Sequence, residues 1–126
     1  MWTYCIAFSP DLGRFLMVRS RKRGGWEMPG GRTEKGETPL SSAVREFSEE
    51  TGHELLTGDD LSVALGEGRV FFGLIGAKKG PMRTAEIAEV SLFSDLPEDL
   101  AYPQEEYGPL LEKGKELLAR KVWPFT

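Results

Sequence analysis

Glu46, Glu49 and Glu50 are spaced i, i+3 and i+4, with Arg45 beside them, Glu37 upstream and the pair Gly30-Gly31 before that. On a helix turning about 100° per residue the three carboxylates share one face. Like charges at that spacing repel by a few tenths of a kcal/mol per pair. A cation between them reverses that penalty. Oxygen-only ligands suit a hard divalent ion, Mg2+ or Mn2+. The consecutive glycines let backbone carbonyls approach such an ion closely. Three clustered carboxylates taken alone also fit a solvated acidic helix face.

The elements that must hold these groups are marked in the sequence. Thr38-Pro39 is a helix start, with a hydroxyl N-cap and proline at the first helical position. Gly52 is a C-terminal stop. Between them Leu40, Ala43, Val44 and Phe47 fall on a separate face, expected to be buried. Upstream, Trp2 to Ser9 and Phe15 to Arg19 read as strands joined by the turn Pro10-Asp11-Leu12-Gly13. Downstream, Leu61 to Leu65 and Arg69 to Ala77 are strands meeting around Gly66-Glu67-Gly68. Lys78 to Arg83 is a turn or loop, and Ile87 to Phe93 is a strand with Ala88, Val90 and Leu92 on one side. From Pro109 to about Val122, Leu110, Leu111, Leu117 and Leu118 recur at helical spacing, with Gly114 weakening the middle by about 1 kcal/mol. Strands on both sides of one helix and a second helix at the end indicate an α/β sandwich with a mixed sheet.

Gly31, Glu37, Arg45, Glu46, Glu49, Glu50 and Gly52 stand in the order G-x5-E-x7-R-E-U-x-E-E-x-G, where U is a bulky apolar residue. The segment resembles the Nudix box, the signature of hydrolases that cleave nucleoside diphosphates linked to another group. With the glycine loop and Arg45 at the offsets of that box, the solvated-face reading recedes. The resemblance implies a three-layer α/β/α sandwich with a mixed sheet, one Nudix domain over residues 1–126. It implies that Glu46, Glu49, Glu50 and the Gly30 carbonyl bind the metal, and that Glu46 or Glu49 helps deprotonate water. Arg45 would orient Glu37 or Glu49 through a charged hydrogen bond. A further carboxylate outside the box would come from Glu67, Glu86 or Glu89. The box departs from the usual pattern at His53 and Phe47, both packing positions; His53 reads as structural.

Composition bounds the partners. The chain has 126 residues and a net charge of −4, which argues against a general nucleic-acid binder with a broad basic face. Its one cysteine, Cys5, lies in an apolar run and reads as buried, in keeping with a cytoplasmic setting. No segment approaches the apolar length of a membrane span, and no basic region followed by an apolar stretch marks a signal peptide. The expected partner is a small-molecule nucleotide, with no stable nucleic-acid complex, no membrane contact, and a monomer or homodimer state. Arg19, Arg21, Lys22 and Arg23 precede the glycine loop, either as a solvated hairpin turn or as a cationic rim that attracts polyphosphate.

For the substrate, the stretch Leu96 to Leu111 is similar to the loop before the last helix in hydrolases of oxidised purine nucleoside triphosphates. The resemblance makes Tyr102 the aromatic that stacks on the base, with Gln104 and Glu105 at the positions of the paired acids that read its edge. Gln104 replaces an acid by an amide. Glu27 is a third candidate for the base edge, or a surface acid on a short strand. The reading is a metal-dependent nucleoside triphosphate pyrophosphohydrolase of MutT-like type, with an oxidised purine as the expected base. Two alternatives stand beside it. One is a Nudix hydrolase of another nucleotide-linked diphosphate: a 5′-triphosphate RNA end, a dinucleoside polyphosphate or ADP-ribose. The other is a nucleotide sensor of the same fold without turnover, which the intact set Arg45, Glu46, Glu49 and Glu50 argues against. The window about 15 residues past the box, Gly68 to Phe71, carries neither the proline common in ADP-ribose hydrolases nor the tyrosine common in dinucleoside polyphosphate hydrolases.

Overall fold

The run Cys5-Ile6-Ala7-Phe8 is apolar at every position, as a strand covered on both faces must be. In the computed structural model, which describes residues 1–82 and 84–121, it is the centre of the molecule. Strand β1 (Trp2–Phe8) sends Ile6 and Phe8 to one face and Cys5 and Ala7 to the other. The further elements are β2 (Phe15–Ser20), β3 (Trp26–Glu27), β4 (Gly30–Arg32), α1 (Pro39–Thr51), β5 (His53–Leu56), a 3-10 turn (Asp59–Leu61), β6 (Ser62–Leu65), β7 (Gly68–Lys78), β8 (Ile87–Phe93) and α2 (Gln104–Arg120).

The sheet runs β3-β2-β1-β7-β5, with β4 added to β1, β6 to β7 and β8 to β2. The pair β1–β7 is parallel and the other ladders are antiparallel, so the sheet is mixed. β1 and β2 pair only at Phe8↔Phe15 and then diverge. The edge of β1 freed by that divergence is taken by β4, which brings Gly30 and Gly31 against Tyr4 and Thr3. Helix α1 covers one face, with Ala43 and Phe47 wholly buried against Cys5, Ala7, Val18 and Phe71. Helix α2 covers the other, with Tyr107, Leu111 and Leu118 packed against Ile6, Phe8, Val70 and Phe72. Leu40 and Val44 lie at the margin of the α1 face and are only half-buried. The three-layer α/β/α sandwich expected from the sequence is the fold observed.

Several local readings change. Helix α2 starts at Gln104, before the expected Pro109, because Pro103 sits at its N-cap and Glu105 and Glu106 favour the first turn. Pro109 is accommodated inside the helix; the expected end near Val122 lies outside the described residues, as does Arg83 at the end of the expected Lys78–Arg83 turn. The glycine loop is two short strands, β3 and β4, and β5 follows Gly52 at once. The β2–β8 register shifts between Arg19 and Ser20 of β2, at the Ile87 end of β8; Ile87 is buried, and Leu92 is 42% exposed.

Gly114 has a packing reason to be glycine. A Cβ there would lie 2.7 Å from the Phe72 ring and 3.0 Å from the Phe8 ring, both fully buried. Gly114→Ala should therefore destabilise by about 1–3 kcal/mol through overpacking, although alanine gains about 1 kcal/mol in helix propensity. Urea unfolding of the variant against wild type measures the balance.

Candidate active site

Helix α1 is anchored at both ends. The Thr38 hydroxyl accepts from the Ser41 N–H, and the Ser41 hydroxyl accepts from the Thr38 N–H, closing a capping box. Gly52 ends the helix in the left-handed region at φ 78° and donates its N–H to the Ser48 carbonyl. A buried hydroxyl contact, Thr3 Oγ1 to Ser42 Oγ at 3.2 Å, fixes the helix over β1. His53, just beyond, places Nδ1 3.0 Å from the Gly76 carbonyl and ties β5 to β7, a structural contact.

On that frame Arg45 gathers the acids. Its guanidinium donates twice to Glu37, at 2.7 and 3.0 Å, and its Nη1 reaches Glu46 at 3.0 Å and Glu49 at 3.2 Å. It also donates to the Arg32 carbonyl at 3.1 Å, linking α1 to β4. The choice between Glu37 and Glu49 as its partner resolves as both. Hydrogen bonding from Arg45 holds the Glu37 carboxyl below its usual range. Burial pushes Glu46 up, against the pull of Arg45. A Cβ at Gly31 would collide with the Glu46 carboxylate and displace it from its present position.

Glu50 is different. It is 8% exposed and accepts the Gly30 N–H at 2.7 Å. Among the described residues it has no ion pair. Burial, and then the neighbouring Glu46 and Glu27 charges, raise its carboxyl to about 8. A buried carboxylate in this state is neutralised either by a proton or by a cation. All-oxygen donors and an uncompensated buried acid fit a hard divalent ion in type. In the present arrangement Glu46 and Glu49 are turned onto Arg45, and no group of three acidic, histidine or cysteine side chains among the described residues converges into a ready ligand set. Of the outer candidates, Glu86 bears electrostatically on Glu50. Glu89 pairs with Arg19, and Glu67 sits exposed in the β6–β7 turn.

Next to Gly30 a cleft of about 250 Å³ opens between the sheet and α2. Its wall includes Trp2, Tyr4, Met28, Val70, Tyr102 and Leu110, with Arg23, Glu27, Glu106 and Tyr107 as the polar members. The loop before α2 is strapped to β3, since the Trp26 N–H donates to Asp99 and the Ala101 N–H donates to Trp26. The strap carries Tyr102 to the cleft mouth, 44% exposed. Glu27 is 7% exposed and held by Arg23 through two bonds of 2.7 and 2.6 Å, so it is no surface acid. Gln104 and Glu105 are exposed in the first turn of α2 and do not line the cleft; Glu106 does. Of the four clustered cations only Arg23 lines it. Arg19 stacks on Trp26 and pairs with Asp99, and Arg21 donates to the Ala85 carbonyl.

Sequence reasoning names Arg23 only within the cationic cluster and does not single out Glu106 or Tyr107. Pro103, with Glu105 and Glu106 in the turn that follows it, is the signal that could have moved the helix start to Gln104 and turned Glu106 and Tyr107 toward the cleft.

A model of the NUDIX domain matches residues 3–106. The chain belongs to the Nudix family. Among curated Nudix relatives, an uncharacterized Nudix hydrolase of Bacillus subtilis, YvcI, is 40% identical over 50 residues, 40% of this chain and 30% of the relative. A MutT-like protein of Streptomyces ambofaciens is 50% identical over 40 residues, 32% of this chain and 26% of the relative. The match thus spans under a third of the length of these curated relatives. Among solved structures, the Ap4A hydrolase of C. elegans superposes with a TM-score of 0.73 at 19% identity, covering 94% of this chain and 98% of that one. The pyrophosphohydrolase BsRppH of Bacillus subtilis superposes with a TM-score of 0.65 at 25% identity, covering 97% and 82%. One of these structures is named an Ap4A hydrolase and the other a pyrophosphohydrolase, so fold likeness does not choose a substrate. Nudix hydrolases generally use divalent metal ions. Among the described residues no helix is long and apolar enough to cross a membrane.

Proposed function

We propose that the chain is a metal-dependent pyrophosphohydrolase of nucleoside triphosphates. Its substrates are purine nucleotides, oxidised ones included, and its products are a nucleoside monophosphate and pyrophosphate. The observation that carries this reading is the position of Gly30. Its N–H bonds the buried Glu50 of the acid face at 2.7 Å, and the same residue lines the aromatic cleft. A base in the cleft is then one strand away from the acids, and the phosphates span the interval. The net charge of −4 argues against a broad nucleic-acid-binding face, and the single buried cysteine suits a cytoplasmic setting.

A phosphoric anhydride is anionic and repels nucleophiles. When bound, a divalent ion (Mg2+ or Mn2+) supplies charge neutralisation and polarises the scissile group; Glu46, Glu49, Glu50 and the Gly30 carbonyl would hold it. Arg45 fixes the acids in orientation by binding Glu37 twice and Glu46 and Glu49 once each. Burial shifts the Glu46 carboxyl toward the working pH, which suits it to accept the proton of the attacking water. Tyr102 stacks on the base, worth about 1–3 kcal/mol by analogy with single-strand binders. Because Gln104 and Glu105 stand outside the cleft, reading of the base edge passes to groups inside it.

The test is a product assay on deoxyguanosine triphosphate and its 8-oxo form. Monophosphate and pyrophosphate should appear with Mg2+ or Mn2+ and not in excess chelator. Undiminished hydrolysis in chelator, or orthophosphate and a diphosphate as first products, overturns the reading.

A further inference from the structure

We infer that the Tyr107 hydroxyl is the base-reading group of the cleft, donating a hydrogen bond to an acceptor atom, a carbonyl oxygen or ring nitrogen, on the edge of a bound nucleobase. The inference rests on the nucleotide reading above and adds the group that discriminates between bases.

A buried phenol normally finds a hydrogen-bond partner. Tyr107 is 6% exposed, lines the cleft, and its hydroxyl is buried with no partner among the described residues. Leaving such a group unmet costs about 1–3 kcal/mol. The ring alone would serve the α2 core equally well as phenylalanine, so the oxygen has no packing role. Glu27 in the same wall accepts from Arg23 at 2.7 and 2.6 Å, and no bond from the Tyr107 hydroxyl reaches it. Burial, with the Glu27 and Glu106 charges adding to it, pushes the phenol pKa upward. The hydroxyl therefore stays neutral and keeps its proton to donate.

The ligand class follows from the shape and chemistry of the wall. A volume of about 250 Å³ is below the range of about 300–1,000 Å³ for whole small-ligand pockets. It suits one flat ring system, with the remainder of the molecule outside toward Gly30. The faces offered to that ring are apolar or aromatic: Tyr4, Met28, Val70 and Leu110. These faces tolerate any base, because stacking and apolar contact do not distinguish ring edges. A donor fixed in a dry wall does distinguish them, since an edge without an acceptor leaves the hydroxyl unpaired.

Tyr107→Phe removes one oxygen and nothing else. Calorimetric titration with GMP, 8-oxo-dGMP, AMP and CMP, on wild type and variant, reads discrimination without turnover. The best-bound base should lose about tenfold in affinity, while the weakest is unchanged, so the spread narrows. The variant's Tm should equal or exceed that of wild type, because an unmet buried hydroxyl has been removed. A variant that keeps the wild-type spread of affinities, whether by changing none of them or by weakening all four equally, overturns the inference; so does a wild type that binds none of them. If triphosphates are not cleaved but the monophosphate ranking still depends on Tyr107, the catalytic reading fails and this one stands.

Discussion

Glu49→Gln should lower turnover about 10²-fold or more while leaving the fold intact. The side chain is 36% exposed, and among the described residues its one hydrogen bond is from Arg45 Nη1 at 3.2 Å. That is an i, i+4 pair on a helix, worth about 0.3–0.5 kcal/mol, and the amide keeps the shape and one acceptor. Loss of the pair is also offset, because Glu49 repels Glu46 three residues before it. Removing one electrostatic stabiliser from a site where phosphate charge develops typically costs about 10²–10³ in kcat. The two scales separate the roles. Steady-state kinetics and urea unfolding of the same preparation decide it. Near-normal kcat in a folded variant rules Glu49 out of the chemistry. Glu105→Gln, exposed one turn from the cleft mouth and outside it, is the matched control and should change neither quantity.

The parts of this molecule legible in the sequence are those set by local chemistry. Thr38-Pro39 and Gly52 mark the ends of α1 because caps act within a turn, and the observed helix, Pro39–Thr51, keeps those ends. The unbroken apolar run through Phe8 announces a strand covered twice. The box residues converge around Arg45 because helical spacing alone puts three of them on one face. What stayed hidden depends on distant pairing. β4 is three residues long and exists because β1 turns away from β2 after one pair. The cleft takes Arg23 from a turn, Glu27 from β3, Tyr102 from a strapped loop and Tyr107 from α2, and no spacing in the chain relates them. The choice of Gln104 and Glu105 as edge readers followed from a resemblance that places 104 and 105 in the loop before the last helix. Once the helix starts at Gln104, Glu106 and Tyr107 face the cleft and those two do not.

Glu50 couples the acid face to stability, and the direction can be worked out. Its carboxyl moves from 4.5 in the free side chain to about 8 in the fold, chiefly through burial. Below about pH 4.5 the folded and unfolded chains both carry the proton. Between 4.5 and 8 the folded chain holds a proton that the unfolded chain has released, so raising the pH draws the equilibrium toward unfolding. Above about 8 both are ionised and the loss is complete. The metal-free protein should therefore lose stability across that window, on the order of a few kcal/mol. Glu46, raised by burial as well, adds a change of the same sign. Glu37 acts the other way: its lowered carboxyl contributes stability above the unfolded value that is lost as pH falls through the lower folded one. Glu50→Gln mimics the protonated form at every pH. It should flatten most of the slope and be more stable than metal-free wild type near pH 8. Mg2+ at pH 8 should restore wild type, because a cation replaces the proton as the neutralising charge, and should leave Glu50→Gln nearly unmoved. Urea unfolding at pH 5 and pH 8, with Mg2+ and with chelator, gives all four comparisons. A wild-type stability that rises between pH 5 and 8 without metal would show that Glu50 is ionised and satisfied in the fold, and the case for a cation beside it would lose its electrostatic basis.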